Sequence, residues 1–557
     1  MIIPRRQVPT NAWKPSAIGE RDPGLGNLSR MPSLVLALAL VGCLVLRSTG
    51  RAQTASCGTC HPDRFHQWAA SPHAHTQTDV ANELSQSDVG LSPAAILQAE
   101  DCLACHSPTS VLANGTMTEP QTLSYFFTTS AGLVTAGTAA TNTAAWPHVE
   151  CAACHSVPTN HVTAPSQGPP PTLALFDAQT AGHRAVTGAS QLCGQCHGSL
   201  HFADTDHRLY DAWAASKHAN TQTDVANELS QARAGQSPED VIYGTGGENC
   251  IACHAPTAVL AARGDEADAL NYFFTTTAGV FTTNTVAAHG SEWPNVACNA
   301  CHDPHNPTSP AYFNSDTLEY EVMTNSAQLC GQCHGNLRFP DTDHLSYNLL
   351  QGTGGVGVPD QQLMAEVTCV DCHMHRSDVD GSNSSMAEGH SWAVALPEAD
   401  GSLTVSCLKC HTDAQPQDAL AVITGWQADF QALDATVTAN VARAAQVLQG
   451  VQDPALQAAL AEARHNLAYA ESDESGGFHN HTYLMALLQD ANAKALSIPI
   501  LGVRLDGAEL IVSWIGTGTL QSATSPAGPW QVVTSGAGPA QVPLGSQGPA
   551  RYFRLQR

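Results

Sequence analysis

The chain has 557 residues, room for two or three domains of ordinary size. Its 23 Lys and Arg against 49 Asp and Glu give a net charge of −26, which argues against a nucleic-acid binder, since that role needs a basic face. With 13% charged and 43% hydrophobic residues long disorder is not expected, and 19 Cys beside 26 His fit neither a disulfide miniprotein nor an ordinary cytosolic enzyme.

In chain order, the first feature is the apolar run Leu34 to Leu46, too short for a comfortable bilayer span and right for a signal-peptide core. Arg5, Arg6, Lys14, Arg21 and Arg30 precede it, and Gly50 and Ala52 offer small residues for cleavage before Gln53. Met31 is an alternative start. Leu40-Val41-Gly42-Cys43 resembles a lipoprotein box, but the apolar run continues past Cys43, which favours a cleaved leader over a lipid anchor. Residues 1–52 hold seven basic and two acidic residues, so removing their +5 from −26 leaves a mature chain near −31. The expected product is exported, to the periplasm or the cell surface.

Eighteen of the 19 cysteines then fall in nine Cys-x-x-Cys-His units. They are Cys57/Cys60/His61, Cys102/Cys105/His106, Cys151/Cys154/His155, Cys193/Cys196/His197 and Cys250/Cys253/His254, followed by Cys298/Cys301/His302, Cys330/Cys333/His334, Cys369/Cys372/His373 and Cys407/Cys410/His411. Chance at this composition gives about 0.03 such motifs. The motif is that of covalent haem c: two thiols add across the vinyl groups and the adjacent His binds iron from the proximal side. Zinc ribbons and redox disulfides also use Cys-x-x-Cys, but neither requires His directly after the second Cys. The cofactor expected is therefore nine covalent haem c groups.

The motif region is internally duplicated. Trp68, Ser71 and His73 recur as Trp213, Ser216 and His218, and Thr76 to Gln86 returns unchanged as Thr221 to Gln231. Tyr125-Phe126-Phe127 recurs as Tyr272-Phe273-Phe274, Trp146 as Trp293, and Asp204-Thr205-Asp206-His207 as Asp341-Thr342-Asp343-His344. The organisation read from this is a leader (1–52), three-haem modules at 53–192 and 193–329, and a diverged third at 330–415. Motif spacings of 32 to 57 residues leave too little chain for a conventional core, so the porphyrins are expected to be the core and folding to depend on them. The fold class expected is mainly α with much irregular structure wrapped around haem.

After Cys410 the chain turns Ala-, Leu- and Gln-rich, and helices are predicted over Asp418 to Leu448, Asp453 to Ala470 and Thr482 to Leu496, in a helical segment spanning 416–497. Gly476-Gly477 is read as a helix stop. From 498 to 557 short strand-like runs, Glu509 to Trp514, Gln531 to Val533 and Tyr552 to Leu555, predict a small all-β module of sandwich type. It lacks Cys and His and so cannot hold haem.

The 26 His less the nine in motifs leave 17, enough for a second axial ligand at every iron. The duplicated His73/His218 and His207/His344 rank first. His161 and His305, each shortly after a motif, come next, and His289 is a further choice. His75, His148 and His183 face Asn220, Asn295 and Tyr320 in the other copy and rank low, while His66, His201, His375, His465 and His481 are read as solvent or packing residues.

Cys57 to His73 (CGTCHPDRFHQWAASPH) resembles the opening of the tetrahaem cytochrome family of ammonia oxidation. Cys369 to Trp392, with Gly389-His390-Ser391-Trp392, resembles the later half of pentahaem nitrite reductases. Gly477-Phe478-His479-Asn480 at a helix end is similar to the same group, which includes octahaem tetrathionate reductase and hydroxylamine oxidoreductase. The resemblance covers roughly 55 to 496 and implies closely packed haems, with His390 and His479 as distal ligands. One departure is plain: the nitrite reductases place Lys at their catalytic haem, whereas all nine motifs here end in His.

The reading that follows is an electron-transfer cytochrome whose irons are mostly held by two imidazoles, with no catalytic residue assigned. An acidic surface would meet redox partners through a basic docking face; no nucleic acid is expected and the oligomeric state is open. Two alternatives remain: a reductase or oxidase of a small nitrogen or sulfur species (nitrite, hydroxylamine, tetrathionate) with one open haem, and a subunit of an extracellular haem filament.

Overall fold

The computed structural model describes residues 57–99, 101–110, 117–158, 160–161, 172–178, 180–203, 205, 207–245, 249–340, 342–364, 366–374, 388–397, 403–449, 453–498, 501–507, 509–514, 517–543 and 551–556. The leader, the box at Cys43 and His375 lie outside the described residues.

The first two modules share one architecture. Helix α1 (Thr76–Gln86) and helix α2 (Glu119–Phe126) have counterparts in α3 (Gln222–Gln231) and α4 (Glu266–Phe273). Each module has its own apolar cluster. Val80, Leu84, Leu123, Phe126 and Trp146 fill one, and Val225, Leu229, Leu270, Phe273 and Trp293 fill the other. A Thr at the head of each repeated segment ties its module together. Thr76 Oγ1 donates to the His106 carbonyl at 2.6 Å and accepts from Trp146 Nε1 at 3.1 Å. Thr221 does the same with His254 and Trp293, at 2.6 and 3.1 Å.

The sequence reading did not foresee the sheets between the motifs. Strands β1 (His155–Ser156), β2 (Thr172–Asp177) and β3 (Gly182–Ala185) form an antiparallel meander directly after the third motif. Strands β4 (His302–Asp303), β5 (Asn306–Asn314) and β6 (Glu319–Val322) repeat it after the sixth. A two-stranded pair, β7 (Ala395–Pro397) with β8 (Leu403–Val405), precedes the ninth. In each meander the motif helix ends at its second Cys and the next residue, the motif His, enters the strand. The architecture is therefore helical and irregular with small sheets.

Beyond the motifs, α5 (Pro416–Val447), α6 (Pro454–Glu471) and α7 (His481–Ser497) pack against one another. Their shared core includes Phe430, Val437, Leu460, Leu467, Tyr483, Leu484 and Leu487. Asp453 caps α6 and Asn480 caps α7, satisfying N–H groups that a helix start leaves open. Buried Asn466 clamps the loop after the seventh motif through both backbone groups of Val356, at 2.8 and 2.9 Å. No helix among the described residues is long and apolar enough to cross a membrane.

The described residues of the tail form six strands in two antiparallel sheets. Strands β9 (Leu501–Asp506), β10 (Glu509–Trp514) and β13 (Ala540–Pro543) make one, with β10 central. Strands β11 (Thr517–Ala523), β12 (Gln531–Ala537) and β14 (Tyr552–Gln556) make the other. Val512, Trp514, Leu520, Ala540 and Val542 form their small core.

Candidate haem centres

Six motif histidines each face a histidine from elsewhere in the chain, ring against ring. The pairs are His61 with His161 (6.3 Å between centroids), His155 with His305 (6.3 Å), His197 with His73 (6.3 Å), His302 with His390 (6.1 Å), His334 with His218 (6.1 Å) and His373 with His479 (6.0 Å). Two imidazoles on opposite sides of one metal need about 6 Å between ring centres, given metal–nitrogen bonds of about 2.0 Å. Among the described residues no group of three or more His, Cys, Asp or Glu converges as a metal site. Each ring pair offers two imidazoles to one metal, the number that the two axial positions of a haem iron take. The residues present thus fit haem, with two motif thiols beside each motif His. Spacing alone is not decisive: His75 and His148 also stand 6.3 Å apart, and neither belongs to a motif.

Burial lowers the pKa of seven of the paired rings, His73, His155, His197, His218, His302, His334 and His373. It holds His197, His218 and His334 down at about 4, and neighbouring histidines push in the same direction. A neutral imidazole offers the lone pair that a metal needs. His479 differs. Burial would lower it, but its bond to the Asp473 carboxylate raises it above the ordinary value.

The other predicted ligands are placed less directly. His207 is an electrostatic neighbour of His106 and His197. His344 neighbours His334 and lies 3.4 Å from Glu474. His289 stands apart from this pattern: at a left-handed backbone position (φ 49°) it stacks on Tyr272 at 4.2 Å, and no motif histidine faces it among the described residues. His411 is exposed, and no ring pairing of it is seen among the described residues.

The low-ranked histidines have structural work that the duplication explains. His183 Nε2 bonds the Ala152 carbonyl at 2.8 Å, and its counterpart Tyr320 donates to the Asn299 carbonyl at 3.0 Å, the same position of the sixth motif. His148 Nδ1 lies 3.4 Å from Thr76 Oγ1, where the counterpart Asn295 bonds Thr221 at 2.9 and 3.2 Å. His465 bonds the Gly354 carbonyl and His481 stacks on Trp426. His66 packs edge-on to Phe65, and His201 does so against Phe202.

Cysteines of different motifs touch. Cys57 contacts Cys151, Cys105 contacts Cys196, and Cys193 contacts Cys298. Cys253 contacts Cys333, and Cys330 contacts Cys369. Looser electrostatic neighbours join Cys154 to Cys193, Cys301 to Cys330 and Cys372 to Cys407. Other contacts agree: Cys298 N–H donates to Ser190 Oγ at 3.0 Å, and the helices of the seventh and eighth motifs pack together. In space the motifs therefore run 1–3–4–6–7–8–9, with the second beside the fourth and the fifth beside the seventh. Nothing in the chain order announces this sequence. Both ends are open to solvent, at Cys60 and His61 and at Cys410 and His411.

Residues 56–125 match the family described as Cytochrome c554 and c-prime, residues 360–501 match Cytochrome c552, and residues 293–339 match the Doubled CXXCH motif. This chain is a multihaem c-type cytochrome. The first two matches fall on the stretches that resemble the tetrahaem and pentahaem families. Among solved structures the cytochrome overlaps the outer cell wall cytochrome OcwA at 19% identity, covering 79% of this chain and 99% of that one, with a TM-score of 0.41. It overlaps the undecaheme cytochrome from the S-layer of Carboxydothermus ferrireducens at 18% identity, 67% of this chain and 53% of that one, TM-score 0.34. It overlaps cytochrome c nitrite reductase from Desulfovibrio desulfuricans at 14% identity, 50% and 70%, TM-score 0.30. At these scores the overlaps fix neither the haem layout nor the ligands of this cytochrome. No curated protein matches it.

Proposed function

We propose that this cytochrome is an exported electron carrier holding nine haem c groups, most of them between two imidazoles. The observation that carries the reading is the set of six ring pairs, each joining one motif histidine to one remote histidine about 6 Å away. An iron with two imidazoles has no position for substrate and keeps its ligands on reduction, so one-electron exchange is the chemistry left to it. By equivalence in the duplication, His207 would serve the second haem and His344 the fifth.

The motif adjacencies support an order of travel. Electrons would enter at the exposed first or ninth centre and pass along 1–3–4–6–7–8–9, with the second and fifth centres as side stations. The acidic surface would guide a partner with a basic face, at rates that fall as salt rises. Export rests on the leader at 1–52, and the tail is read as a sandwich-type contact module without a redox role.

Intact-mass measurement of the secreted protein, with paramagnetic resonance of the oxidised form, tests the reading. Nine haem masses and mainly low-spin signals are expected. Bare thiols at several motifs would overturn the haem count. A high-spin signal that changes with nitrite or hydroxylamine would replace the carrier by the reductase.

A further inference from the structure

The candidate distal histidines differ in what holds their second ring nitrogen. His73 bonds the Pro304 backbone. His305 Nδ1 lies 3.3 Å from Asp303, whose charge is shared by Arg64 at 3.7 Å. His479 Nδ1 lies 2.5 Å from Asp473 Oδ1. The Asp473 side chain is fully buried. Its other oxygen accepts from Ser475 Oγ at 2.6 Å and Gly477 N–H at 3.0 Å. No Lys or Arg forms an ion pair with it among the described residues. His373, on the other side of the same centre, has only a neutral acceptor, the Trp392 carbonyl at 3.0 Å.

The turn that makes this contact is tightly specified. Gly477 sits at φ +100°, and a Cβ there would come within 2.5 Å of the Phe430 side chain. Ser475 Oγ also accepts from the N–H groups of Phe478 and His479, at 2.8 and 3.0 Å. Both the carboxylate and the ring are thus fixed by backbone.

We propose that Asp473 is a positioning residue for the eighth haem: it fixes the His479 ring with Nε2 free and lowers the reduction potential of that one centre. A buried carboxylate bonded to Nδ1 makes the imidazole a stronger donor, and added negative charge favours the oxidised iron. This rests on the reading that His373 and His479 hold the eighth haem. The centre is then an uphill step between the seventh and ninth haems, so Asp473 governs traffic along the main path.

The test is spectroelectrochemical titration with paramagnetic resonance on the full nine-haem protein. Asp473→Asn should shift one midpoint toward easier reduction by about tenfold in the equilibrium constant, about 59 mV for one electron. Asp473→Glu should restore most of that shift. Glu474→Gln, which removes an exposed charge one residue away, should change the same midpoint less than twofold. Equal effects of Asp473→Asn and Glu474→Gln, or no shift in any midpoint, would overturn the proposal. Should Asp473→Asn fail to mature, the native protein decides: one low-spin signal should show a narrower g spread than the rest, and its absence counts against the assignment. His479→Ala separates the two layers. If it leaves every centre low-spin, the ligand reading itself fails. If it makes one centre high-spin while Asp473→Asn moves nothing, only the role of Asp473 fails.

Discussion

His155 and His305 lie with ring planes 3° apart and centroids 6.3 Å apart, although one belongs to the third motif and the other follows the sixth. The first is on β1's opening residue and the second in the turn between β4 and β5, so equivalent hairpins of two modules meet at one candidate centre. The two rings at this candidate centre therefore come from opposite sides of residue 192. The fourth centre shows the same sharing, since His197 faces His73 from the module before it.

His305→Ala should convert one low-spin haem to high-spin and leave the haem count at its wild-type value, because the thioethers and His155 are untouched. Resonance spectra and intact mass read both outcomes. Because the third centre lies between the first and the fourth, electron exchange between the first centre and the rest should slow in stopped-flow reduction. A fully low-spin variant would remove His305 from the ligand set.

Thr221→Val should destabilise the second module by about 1–3 kcal/mol, the cost of leaving buried polar groups unpaired. The hydroxyl it removes is the acceptor for buried Trp293 Nε1 and the donor to the His254 carbonyl. Thr76→Val removes the same pair of bonds in the first module. The two sites share no partner, so their effects should add in denaturant unfolding. A double variant no less stable than either single one would show that the bonds carry no net stability.

Much of this was legible because the relevant signals are local. Cys-x-x-Cys-His spacing marks every candidate proximal histidine, and helix periodicity placed α5, α6 and α7 within a few residues of their observed bounds. Duplication singled out His73 and His218, and each stands opposite a motif histidine, while His183 and His148, which it ranked low, make bonds that a Tyr and an Asn make in the other copy. What stayed hidden is non-local. The spatial order of the motifs depends on long-range packing, and the meanders β1–β3 and β4–β6 are short and carry too little alternation to be seen. Three tail strands, β9, β11 and β13, also escaped: β11 is rich in Thr and Gly, β13 is only four residues long, and the Leu-Val-Leu alternation of β9 was passed over. Asp473 was invisible because its meaning comes from a Gly turn that folds it back onto His479.

Asp434 on α5 and Glu471 on α6 face one another, and burial raises the pKa of both, with mutual repulsion adding to Glu471. The folded protein therefore keeps protons that the unfolded chain would release. The stabilising effect is complete below the free carboxylate range and is lost as pH rises through the raised values. At pH 7 the pair is a liability. Asp434→Asn should stabilise the fold at pH 7, by less than about 1 kcal/mol because both groups are partly solvated, and so raise the unfolding temperature there. The gain should shrink toward pH 4, and a gain that grows on acidification would reverse the assignment.

Removal of the tail after Ile498 should leave the haem content and visible spectrum unchanged. The two tail sheets close on their own core of Val512, Trp514, Leu520, Ala540 and Val542, and none of these residues belongs to the helical core. Contact with the helices is narrow, and one point of it is Gly502 against the Val447 carbonyl. Ile498 must be kept, because it is buried in the helical core. Pyridine haemochrome analysis and resonance spectra of the truncated protein read the outcome. Loss of haem, or a low-spin centre turned high-spin, would mean that the tail braces the ninth motif and is more than an appended contact module.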